Sequence, residues 1–120
     1  MKLIDFLNKH SKEMLFVFCL SHFEVTFKRR KNLDCLAEID TDLEYLSATI
    51  FYGNRLEKLY RSGDYEEVLK TLAHEITHIL LENLSETPGS NSKSHKIACE
   101  QATEHISRLL YRLYIVEKGQ

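Results

Sequence analysis

Proline and glycine are scarce in this chain, one and four respectively in 120 residues, which leaves no long linker, and no internal repeat is visible. Cysteine is sparse as well. Cys19, Cys35 and Cys99 are odd in number, widely spaced and without a CxxC pair. That excludes a disulfide framework and a cysteine-based zinc site, and it favours a reducing compartment. No long hydrophobic run occurs, because Met14–Leu20 is only seven residues, against the roughly 20 that span a bilayer. The opening MKLIDFLNKHSKEM is too polar for the apolar segment of a secretory signal, and no small-residue cleavage site follows it. A cytoplasmic location with no membrane partner is therefore expected. Neither sign of charge dominates: 16 basic and 18 acidic residues give a net charge of −2, so no nucleic-acid partner is expected. The one basic cluster, Lys28-Arg29-Arg30-Lys31, has no basic helix or aromatic residues beside it and reads as a solvated strand end or turn.

What is present suffices for one compact core. Apolar residues make up 43% and charged residues 28%, a balance and length that predict a single domain over residues 1–120. Leu3, Phe6, Leu7, His10 and Met14 recur at helical spacing, predicting a helix over 2–14 that can continue into the apolar stretch after it. Phe23, Val25 and Phe27 alternate with polar residues as a half-buried strand does; Cys35, Ala37 and Ile39 suggest a second strand, and Tyr45–Tyr52 a third. Residues 55–61 read as a short helix or a loop. Asp64 with Glu67 three residues later forms a capping-box pattern opening a helix to about residue 83, with Tyr65, Val68, Leu69, Leu72, Ile76, Ile79 and Leu80 in its apolar stripe. Ser85–Ser94 is a polar loop. A last helix is expected over 94–117, its apolar face carried by Ala98, Ala102, Ile106, Leu109, Leu110, Leu113 and Val116. Helix, strands, then two helices predict an α+β domain with helices packed on a small sheet of three or four strands.

The pattern that carries chemistry is His74-Glu75-Ile76-Thr77-His78. Histidines at i and i+4 project from one helical face with their Cβ atoms about 6 Å apart. Both rings can therefore reach one zinc ion across bonds of roughly 2.0–2.1 Å. Glu75, next to the first histidine, is placed to act as general base toward water acidified by the ion, as hydrolysis of a carbonyl compound requires. The motif falls inside a strongly periodic helix, with its histidines beside the apolar stripe rather than in it. Coincidence in a histidine-bearing helix is the bland alternative. A catalytic zinc needs one further protein ligand, and Glu100 and Glu104 lie four apart on one face of the last helix, although two such acids also suit a plain solvent face.

Over roughly residues 64–113 the chain resembles the glutamate-zincins, in which HExxH is followed by a helix bearing Glu-x-x-x-Asp; here Glu100-Gln101-Ala102-Thr103-Glu104 has Glu in place of the Asp. It also looks like the very short zincin-type proteins of phages and mobile elements. The resemblance implies that Glu100 is the third zinc ligand and that Glu104 hydrogen-bonds His74 or His78. Alternatively Glu104 reaches the metal itself, or His95 does, as in SprT-like zincins; Lys96 stands where that group has glycine. The metzincin extension is absent, Leu81 and Ser85 occupying its glycine and histidine positions. Tyr52, Tyr111, His95 and His105 are the candidates for stabilising an oxyanion, and the strand Tyr45–Tyr52 resembles the zincin edge strand along which an extended peptide binds, a plain core strand being the equal alternative. The function expected is zinc-dependent hydrolysis of a peptide or protein substrate. The alternative is a catalytically silent zincin-like binding module whose metal is structural or lost.

Overall fold

The computed structural model describes residues 1–85 and 93–119, with side chains for 1–82 and 97–119. The elements run α1 (Leu3–Val17), β1 (Glu24–Arg29), β2 (Ala37–Asp42), β3 (Ser47–Tyr52), α2 (Asn54–Arg61), α3 (Tyr65–Ser85) and α4 (Lys93–Lys118). Four helices against one three-stranded sheet make this an α+β fold, as the order of periodicities predicted. Most of the expected polar loop at Ser85–Ser94 lies outside the described residues, as does the side chain of His95. Among the described residues no helix is long and apolar enough to cross a membrane.

The sheet order is β1-β3-β2, with β1 parallel and β2 antiparallel to β3. This corrects the expectation for Tyr45–Tyr52. That segment supplies the central strand, hydrogen-bonded on both sides, so it offers no free edge to a peptide; the edges are β1 and β2. Its burial explains the placement: Ala48, Ile50 and Tyr52 are buried, and only the middle strand of three has neighbours on both sides. Phe27, Ile50 and Ile39 lie in register across the three strands and share one face. That face joins a continuous core with Leu7 and Met14 of α1, Leu56 of α2, and Val68, Leu72 and Ile76 of α3.

Leu59 and Tyr60 end α2 in a Schellman arrangement: Gly63 N–H donates to the Tyr60 carbonyl and Asp64 N–H to that of Leu59. Gly63 has φ +83°, which glycine adopts without strain. Asp64 then caps α3, its Oδ1 accepting from Glu67 N–H at 3.4 Å. The reciprocal half of the expected capping box does not form, because Asp64 N–H is already used by Leu59.

In α4 the expected apolar face is wrong by about one residue, or roughly 100° around the helix. Leu110 packs against the core and Ile106 is half-buried as expected, but Thr103, Ser107 and Tyr114 are buried, whereas Ala98, Ala102, Leu109, Leu113 and Val116 are exposed. The physical reason is local. Thr103 Oγ1 donates to the Cys99 carbonyl at 2.9 Å and Ser107 Oγ to that of Glu104 at 2.9 Å. Hydroxyls satisfied by their own helix bury without an unmade hydrogen bond, and their small size lets α4 lie close to α3, on which it packs. That rotation turns Glu100 and Glu104 toward the histidines of α3.

Candidate metal centre

α3 is anchored on one side by Val68, Leu72, Ala73, Ile76 and Ile79, all at most 2% exposed. This fixes the rotation of the helix, so His74 and His78 emerge together on the side facing α4, half-buried, with ring centroids 5.0 Å apart. Glu75 points into the protein and is 7% exposed. Ligand atoms of His74, Glu75 and His78 lie within 4.8 Å of one another, a group that can hold a metal ion.

Glu100 completes the convergence. Its Oε1 lies 3.2 Å from His74 Nε2 and 3.6 Å from His78 Nε2. Four ligands at roughly 2.0–2.1 Å around a tetrahedral ion are separated by about 3.4 Å, so these distances suit a small divalent cation between the three side chains. Glu104 takes a different position. Its Oε2 lies 3.0 Å from His74 Nδ1, the nitrogen turned away from Glu100, and its Oε1 accepts from Arg108 Nε at 3.1 Å. Both oxygens of Glu104 are thus engaged behind His74, where a carboxylate orients the imidazole and leaves Nε2 free for a ligand.

Burial dominates the electrostatics of the cluster. Burial pushes the Glu75 carboxyl up to about 8, with Glu100 and then Glu38 adding to the rise. Burial likewise holds His78 below the ordinary histidine range, although Glu100 opposes it. A neutral His78 offers a lone pair, and a divalent ion among these groups would favour the ionised form of Glu75.

Beside the centre runs a groove of about 870 Å³. α3 forms its floor with His74, Glu75 and Lys70; the segment leading into β2 and the Glu104–Arg112 stretch of α4 form its walls. Of the oxyanion candidates whose side chains are described, only Tyr111 lines this groove, while Tyr52 is buried in the sheet and His105 is exposed elsewhere on α4. Arg55, Lys70, Arg108 and Arg112 also line it, and sequence reasoning singled out none of them. The i, i+4, i+8 spacing of Glu104, Arg108 and Arg112 was the available signal.

No protein-family model, curated protein or solved structure matches the chain.

Proposed function

We propose that the protein is a zinc-dependent metallopeptidase of the glutamate-zincin type. The observation that carries this reading is the meeting of His74 Nε2, His78 Nε2 and Glu100 Oε1 at one point, with the buried Glu75 carboxyl beside it. Two imidazoles and one carboxylate are a donor set of catalytic zinc, which leaves a fourth position open. When bound, the ion supplies Lewis acidity to the substrate carbonyl and acidifies the attacking water.

The remaining work falls to the chain. His74 and His78 position the ion, and Glu104 holds the His74 ring in the required orientation. Glu75 accepts the proton of the attacking water and passes it to the amine nitrogen as the peptide bond breaks. Its raised proton affinity makes this role conditional, since a carboxyl held neutral at pH 7 cannot act as a base until a nearby cation ionises it. A purely structural zinc would need neither a buried glutamate beside it nor an adjoining groove.

The test is Glu75→Gln. The variant is expected to bind zinc stoichiometrically and to lose at least a hundredfold in peptide hydrolysis, read with a quenched-fluorescence peptide library. Hydrolysis at the wild-type rate would remove the base. A zinc-loaded wild type that cleaves nothing would favour the silent binding module.

A further inference from the structure

The walls of the groove carry an arrangement of charge that bears on what occupies it. Glu104, Arg108 and Arg112 are successive fourth residues of α4 and form one row leading away from the histidines. Each step is about 6 Å along the helix axis, which places Arg112 about 12 Å beyond Glu104.

The other charged groups of the groove are engaged with one another. Lys70 Nζ lies 3.1 Å from Glu66 and 3.8 Å from Glu67, and it sits 5.9 Å from the centre of the Tyr111 ring. Arg108 is held by Glu104 at 3.1 Å. Two cations remain without a carboxylate among the described residues. Arg55, at the start of α2, donates only to the backbone carbonyl of Asp34. Arg112 has no ion-pair partner there at all, and both line the groove. Glu66 and Glu67 share one lysine, so the residual negative charge lies on the floor at the start of α3, while the residual positive charge lies on the walls.

We propose that this groove selects a peptide carrying a carboxylate, which Arg112 receives, with Arg55 adding positive charge to the same groove. An extended peptide advances about 3.3 Å per residue, so the carboxylate sits about three or four residues from the bond lying at His74. A guanidinium binds a carboxylate through two parallel N–H donors, which gives position as well as charge. The same chemistry is met by an aspartate or glutamate side chain and by a free C-terminus. The inference rests on the peptidase reading for the groove's role as a peptide cleft.

The experiment measures binding rather than cleavage, so that the two ideas fail separately. Zinc-loaded Glu75→Gln protein is titrated with fluorescent seven-residue Ala/Gly peptides. One amidated set carries a single Asp at successive positions, a second carries Lys instead, and a neutral peptide ends in a free carboxylate. The Asp peptide of best register is expected to bind about five- to tenfold more tightly than its Lys counterpart, less so at high salt. Equal preference for the free-carboxylate peptide identifies the terminus as the recognised group. Adding Arg112→Glu should bring the Asp-to-Lys ratio to one or below, and Arg112→Gln should reduce it part of the way. Arg112 is exposed, so both variants are expected to fold, checked by zinc content and circular dichroism. No binding, equal affinity for the Asp and Lys series, or a ratio unchanged by Arg112→Glu overturns the proposal. Cleavage assayed in parallel on the wild type bears on the peptidase reading alone.

Discussion

At the scale of single residues, the division of labour between Glu100 and Glu104 follows from which nitrogen of His74 each one meets. Glu100 stands at Nε2, where it also reaches His78, and Glu104 stands at Nδ1. Glu100→Ala should therefore weaken zinc more than a hundredfold, because under the proposed reading it removes a ligand. Glu104→Ala should weaken it by about 10- to 100-fold, the usual effect of losing a carboxylate behind a ligand histidine. Chelator-competition titrations check both; a larger loss in Glu104→Ala would exchange the two roles. Sequence spacing could not decide between these acids, because residues four apart share one helical face and both point toward α3. The choice depends on the distance between α3 and α4, a tertiary quantity. HExxH itself was legible, since its spacing is meaningful on any helix.

At the scale of elements, α1 and α4 are joined by a polar cluster far along α4 from the histidines. The Tyr114 hydroxyl donates to Glu13 Oε2 at 2.7 Å and lies 2.6 Å from His10 Nδ1, and Lys118 Nζ is 2.9 Å from the same Glu13 oxygen. Tyr114 is 1% exposed. Tyr114→Phe leaves the aromatic packing but strands its partners, and about 1–3 kcal/mol of stability should be lost in urea denaturation. Burial, and then the Lys118 charge, hold His10 below its ordinary value of 6.5. As pH falls below about 6.5 the unfolded chain takes up a proton that the folded one resists, so this contribution to stability declines toward acid. In the zinc-free protein half-buried His78 adds to this trend, whereas the Glu75 carboxyl, pushed up to about 8, opposes it because the folded state takes up its proton first; the comparison with His10→Gln isolates His10. Relative to wild type, the variant's stability should rise as pH falls from about 7.5 to about 5.5; a constant difference between the two would mean that His10 titrates alike in both states. His10 appeared in the sequence as one member of an apolar stripe. Nothing local revealed its hydroxyl partner 104 residues away. The rotation of α4 was hidden for a related reason: hydropathy ranks Thr103 and Ser107 as surface residues, whereas their bonds to their own helix make them interior ones.

At the scale of the whole molecule, α4 packs along α3, from Glu100 beside His74 to Tyr111 beside Lys70, and reaches α1 through Tyr114. A metal ion beside His74 and Glu100 would link helices that are otherwise held there by side chains around a half-exposed cluster. Zinc at a hundredfold excess over its dissociation constant should stabilise the fold by about 2.7 kcal/mol, which for a chain of this size raises Tm by on the order of 10 °C. Scanning calorimetry with and without zinc measures this directly, and a Tm indifferent to zinc would deny the link. The α+β class was legible because periods of two and of about 3.6 residues are local properties of the chain. The order β1-β3-β2 was not. It depends on β1 crossing to pair in parallel with the third strand, and strand pairing across that distance leaves no local trace.

The most direct measurement is zinc-edge X-ray absorption, together with anomalous diffraction, on the zinc-saturated protein. The account predicts one zinc per chain, bound by two imidazole nitrogens at about 2.0–2.1 Å and a carboxylate oxygen at about 2.0–2.2 Å, with the anomalous peak between His74, His78 and Glu100. A protein that retains no metal after saturation, or a peak that shares none of these three side chains, would contradict it.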